Sequence, residues 1–131
     1  MSDQTREAVK QWLAKADSDW ATVEILMASV HCPTEAVCFH CQQYVEKILK
    51  AFLTLKGIEA PKTHDLRRLI QLASPLEPRL VELSGESDAL TVHGVQLRYP
   101  GDFWQVETAE MNRLCELSKK FADILLPRLK Q

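Results

Sequence analysis

Glycine is scarce in this chain, with four among 131 residues. That leaves little room for tight turns at positive φ or for loops that cradle phosphate in backbone amides. No run approaches the roughly 18 consecutive apolar residues of a membrane span. The N-terminal stretch MSDQTREAVKQW carries charge where a secretory signal needs an apolar core. These absences predict a cytoplasmic chain that does not enter membrane. Charge of one sign is also lacking: 16 Lys and Arg face 18 Asp and Glu, for a net charge of −2. No overall field draws the protein to nucleic acid or an acidic membrane, so any such binding must come from a local patch. The four cysteines are even in number, but a cytoplasmic chain with a full apolar complement needs no disulfides, which predicts free buried thiols. Cys38-x-x-Cys41 lies near His31, Cys32 and His40, yet on a continuous helix with no second pair at finger or ribbon spacing it reads as apolar burial rather than zinc. Neither a metal nor a cofactor is expected.

The chain is 46% hydrophobic and 26% charged, the balance of an ordinary globular protein, and residues 1–131 suit one domain able to bury about two thirds of its unfolded surface. Apolar residues at Val9, Trp12, Ala16, Trp20, Val23, Met27 and Val30 recur every three or four positions and predict a long helix over about 4–29. Pro33 suits a new start. Val37, Cys41, Tyr44, Ile48, Phe52 and Leu55 then carry a second apolar face as far as Gly57, a suitable stop. Thr63 is the expected N-cap of a short helix over about 64–73, with Asp65 in its first turn against the positive end of the dipole. Pro75 and Pro78 fit only the first turn of a fourth helix, with Leu76, Leu80 and Leu83 on its inner face and weakening at Gly85 and Ser87. HGVQLRYPGDFW reads as a loop, and Met111, Leu114, Leu117, Phe121, Ile124 and Leu125 mark a last helix. No segment demands a strand. The fold class expected is all-α, an antiparallel up-and-down bundle of about five helices.

Helix two poses the functional question. His40, Gln43, Glu46, Lys47 and Lys50 recur along an otherwise apolar helix and, at 100° per residue, share a stripe about a third of its circumference wide. Glu46 and Lys50 stand in the favourable order for an i,i+4 pair, worth about 0.2–0.5 kcal/mol if exposed. On that reading the stripe is a solvated edge.

Three pieces of the chain resemble the HEPN family, small all-helical proteins named for nucleotide binding in higher eukaryotes and prokaryotes. QYVEKILK is similar to its Gln-Ala-x-Glu-Lys-x-x-Lys helix through Gln43, Glu46, Lys47 and Lys50, with Tyr44 in place of alanine. THDL follows at 63–66. Arg98, Tyr99 and Pro100 match an Arg-Tyr-Pro element before the last helix, although Gly101 displaces the acidic residue that often follows. The resemblance implies a bundle that dimerises and often partners a minimal nucleotidyltransferase, with the marked residues near a shared cleft. In that cleft Lys47, Lys50 and Arg98 would donate to the phosphate oxygens of a nucleotide, Tyr99 or His64 would flank base or ribose, Glu46 would orient the cations, and Gln43 completes the set.

Many members of that family cut RNA without metal, using an arginine followed four to six residues later by a histidine. None of His31, His40, His64 and His93 follows an arginine at that distance, and His93 precedes Arg98. The expectation is therefore a non-catalytic nucleotide-binding module of a prokaryotic two-gene, toxin–antitoxin-like system. Two rivals stand beside it: a metal-independent ribonuclease toxin with a non-standard site, and a pure protein-interaction subunit. Trp12, Trp20 and Phe121 read as core residues, and Trp104 beside Phe103 as packing under the loop.

Overall fold

The computed structural model describes residues 1–95 and 105–130. Among them the regular structure is helical: α1 (Asp3–Met27), α2 (Thr34–Leu55), α3 (Leu66–Ala73), a 3-10 turn (Pro78–Leu80), α4 (Val81–Thr91) and α5 (Thr108–Leu129). Ser2 caps α1 by accepting from the Thr5 amide at 3.0 Å. The helix stops short of the expected residue 29, and Val30, assigned from its spacing to the apolar face, is 95% exposed in the connecting turn. Pro33 then takes an extended conformation ahead of α2 and sets the turn between the two helices.

α2 ends as its sequence suggests. Gly57 adopts φ +75, and the amides of Gly57 and Ile58 return to the carbonyls of Thr54 and Leu53, so the last carbonyls are satisfied by a glycine-dependent reversal. α3 corrects one expectation. Its N-cap is Asp65, whose carboxylate accepts from the Arg67 amide at 3.1 Å, while Thr63 sits one step back and accepts from the Asp65 amide. α4 corrects another, because it runs through Gly85 and Ser87 to Thr91. Gly85 is exposed and costs about 1 kcal/mol against alanine, whereas Leu83, Ser87 and Leu90 are buried and hold the helix in place. Tertiary packing overrides the local weakness.

α2 is the centre of the bundle. α1 packs along one side of it, α5 along another, and α3 with α4 close a third. Ile48, Leu49, Phe52 and Leu53 of α2 are fully buried together with Leu66, Leu69, Leu114, Leu117 and Phe121. Cys38, Cys41 and Cys115 lie in this core as free thiols, Cys32 is half-buried, and the sulfurs of Cys41 and Cys115 are 3.6 Å apart. Burial pushes the Cys38 thiol up to about 12, so it is protonated and inert at neutral pH. No helix among the described residues is long and apolar enough to cross a membrane.

Candidate functional site

The polar stripe of α2 does not face bulk water. It is wedged between α1 and the segment before α3, and its charges are arranged as two neighbouring clusters. In the first, the carboxylate of Asp19 on α1 meets His40 Nδ1 at 2.8 Å and the ammonium of Lys47. In the second, Glu46 takes three donors: Lys50 Nζ at 3.1 Å, Gln42 Nε2 at 3.1 Å and His64 Nδ1 at 2.8 Å. Residues 42, 46 and 50 are successive steps of four along one line of the helix, so the local geometry alone aligns them.

The second cluster is anchored beyond α2. Gln42 Nε2 also donates to the His64 carbonyl at 3.1 Å, and its Oε1 accepts from Gln43 Nε2 at 2.7 Å. Lys50 Nζ lies 5.6 Å from the centroid of the Trp12 ring on α1, within cation–π range. Gly94, just after α4, approaches so closely that a Cβ there would sit 3.0–3.2 Å from the Gln42 amide group. Any larger residue there would require the Gln42 amide group to shift by a few tenths of an ångström.

Burial differs sharply within the network. The Glu46 and Lys50 side chains are 5% and 8% exposed, whereas His64 is 62% exposed. Its Nδ1 faces a carboxylate, which assigns the Nδ1–H tautomer and turns Nε2 with its lone pair away from Glu46. An imidazole fixed in this way can accept a proton or, when protonated, donate to an anion. Lys47 and Lys50, also paired with carboxylates, are far less exposed.

The structure thus brings Gln43, Glu46, Lys47, Lys50 and His64 into one region, with Glu46 orienting the Lys50 cation. The pair is made in the expected order, but as a buried strut rather than a solvated edge. Arg98 and Tyr99 lie outside the described residues, as do Phe103 and Trp104. Sequence reasoning missed Asp19, Gln42 and Trp12. A signal for Asp19 was present: it falls three residues after Ala16 and four before Val23, an acid on the inward face of α1. Gln42 sits one turn before Glu46 and had the same kind of signal. Trp12 was placed in the core, and it is part-buried with its ring serving a cation.

The described residues form an all-helical bundle whose central helix, α2, carries a partly buried polar stripe tied through Glu46 to His64. The HEPN domain family model matches residues 9–128, and the chain belongs to that family. Neither the search of curated proteins nor that of solved structures gives a match.

Proposed function

We propose that this HEPN domain is a non-catalytic nucleotide-binding module that works as a homodimer with a minimal nucleotidyltransferase in a cytoplasmic, toxin–antitoxin-like pair. The observation that carries this reading is the contrast within the polar network: buried, ion-paired Glu46 and Lys50 hold a single exposed imidazole, His64, in a fixed tautomer. His64 is the group turned towards a nucleoside phosphate. Arg98 adds a planar guanidinium suited to bidentate contact with phosphate oxygens, and Tyr99 a ring for base or ribose. Lys47, Lys50, Glu46 and Gln43 act as the frame that supports the site, their two cations already matched by Asp19 and Glu46.

Calorimetry with AMP and ATP at low salt tests this. Binding in the micromolar to millimolar range is expected, weakened about tenfold by His64→Ala or Arg98→Ala, since loss of a charge-assisted hydrogen bond is worth about 1.5 kcal/mol. Absence of heat with either nucleotide, with the partner present, sinks the proposal.

A ribonuclease reading has one observation in its favour. A carboxylate behind Nδ1 of an exposed histidine is what an imidazole needs to shuttle protons at a ribose 2′-hydroxyl. Cleavage of tRNA in the presence of chelator, abolished by His64→Ala, would replace binding with catalysis. A pure interaction subunit, the remaining rival, would keep full function after Lys47 and Lys50 are both changed to glutamine.

A further inference from the structure

Tyr44 and Glu46 stand two residues apart on α2 and therefore about 200° apart round the helix axis. The tyrosine side, away from the His64 network, is bounded by α1 and α5. These two helices leave between them an open hollow of about 430 Å³ lined by Asp17, Trp20, Glu24, Tyr44, Asp123 and Lys130, among others. Its aromatic wall is formed by the Trp20 and Tyr44 rings, with centroids 5.0 Å apart and planes inclined at 41°.

Two independent features mark this hollow as more than a surface groove. Tyr44 is only 5% exposed, lines the hollow, and its hydroxyl has no hydrogen-bond partner among the described residues. The hydroxyl is not sealed in the core: the little surface that Tyr44 keeps includes this group, which reaches the hollow. The second feature is charge. Asp17, Glu24 and Asp123 are exposed around the hollow and none forms an ion pair among the described residues. Of the two lysines at the rim, Lys119 is engaged by Glu116 at 3.2 Å, which leaves Lys130 against the three carboxylates and a net negative charge round the hollow. Burial pushes the Tyr44 hydroxyl up to about 12, and the charges of Asp17 and Asp123 add to that effect. The hydroxyl therefore stays protonated and lies within the field of both carboxylates. An anion would meet net repulsion here, and a purely apolar ligand would leave the hydroxyl unanswered.

We infer that the hollow between α1 and α5 is a binding site for an organic cation, an alkylammonium or guanidinium group. Asp17 and Asp123 balance its charge, the Tyr44 hydroxyl oxygen accepts one of its N–H groups, and its body lies against the Trp20 ring. Paired aromatic faces with a carboxylate nearby are a general solution for recognising such ions, because the ring quadrupoles attract the cation while the carboxylates supply long-range charge. The cation could arrive as a free polyamine or as the lysine or arginine side chain of a partner, and both present the same chemistry.

The test is a titration of ¹⁵N-labelled full-length protein followed at the Trp20 indole N–H, assigned by comparison with Trp20→Phe. The probes are spermidine, arginine methyl ester, a lysine-containing tetrapeptide and, as the opposing control, AMP. Saturable shifts with the cations are expected, with affinity reduced at least tenfold by Asp17→Asn combined with Asp123→Asn and several-fold by Tyr44→Phe. Both variants alter groups that support no ion pair, so their folding is checked by unchanged dispersion elsewhere in the spectrum. Markedly tighter binding of the tetrapeptide than of spermidine assigns the site to a partner's side chain, and the reverse assigns it to a free amine. Absence of saturation with every cation, equal binding by the carboxylate variants, or a preference for AMP at this indole overturns the inference.

Discussion

Removing the charge of Glu46 while keeping its shape isolates what the buried strut contributes. In Glu46→Gln, Lys50 keeps its full charge at 8% side-chain exposure and loses the oxygen 3.1 Å away. At an effective dielectric of about 20, two unit charges at that distance attract by about 5 kcal/mol. Much of that is already offset by the cost of removing both ions from water, so the loss to expect is the one seen when a single partner of a buried pair is removed, about 3–5 kcal/mol. Glutamine keeps a carbonyl that accepts from Gln42 or His64, and the Trp12 ring still faces the ammonium; both favour the lower end, about 3 kcal/mol. With a urea m-value of about 2 kcal/mol/M, the unfolding midpoint should fall by about 1.5 M with the slope unchanged. Glu46→Leu combined with Lys50→Met removes both charges and should recover to within about 1 kcal/mol of wild type, because no uncompensated ion is left. A single variant within about 0.5 kcal/mol of wild type, or a double variant worse than the single, refutes the claim that this pair is dry and mutually dependent.

Gly94→Ala is expected to destabilise by about 1–2 kcal/mol, since a new methyl 3.0–3.2 Å from the Gln42 amide must displace a side chain held by hydrogen bonds to Glu46, Gln43 and the His64 carbonyl; a thermal melt checks this, and an unchanged midpoint contradicts it. Glu77 supplies the pH dependence: Arg79 grips its carboxylate with two hydrogen bonds, the Arg128 guanidinium stands 2.8 Å from it, and together they hold its pKa below the ordinary carboxylate value. A depressed folded-state pKa stabilises the protein above the unfolded value and ceases to do so as pH falls through the folded one. The stability gap between wild type and Glu77→Gln should therefore be constant near neutrality and close as pH falls below the ordinary carboxylate range and through the depressed folded-state value, as measured by denaturant titration; a gap that persists in strong acid would show that packing, not charge, sets it.

Those parts of the bundle governed by local rules were legible before any coordinates. The periods of α1 and α2, the stop at Gly57 and the Glu46–Lys50 pairing all depend on residues within one or two turns of each other, so spacing suffices. What failed depended on distant neighbours or close competitors. Thr63 and Asp65 are both good caps two residues apart, and the choice fell to whichever could reach the Arg67 amide. Gly85 weakens α4 on paper, but the buried flank at Leu83, Ser87 and Leu90 decides the outcome. Val30 continued the α1 period beyond the point where Pro33 forces the chain to turn. The site was half legible for the same reason. The stripe on α2 could be seen, but its burial could not, because it depends on Asp19 and Trp12 arriving from α1 in one particular register. A period of three or four identifies a face and is silent about what will cover it.

Glu46 answers Lys50, Gln42 and His64 at once, and this limits how the interior can change over time. Any path that alters Glu46 or Lys50 first passes through a form with a stranded ion, whereas a simultaneous exchange of both charges does not. The cluster therefore behaves as a single inherited character. A transplant into another helical scaffold should carry all four residues, with the glycine that makes room for Gln42, or none of them.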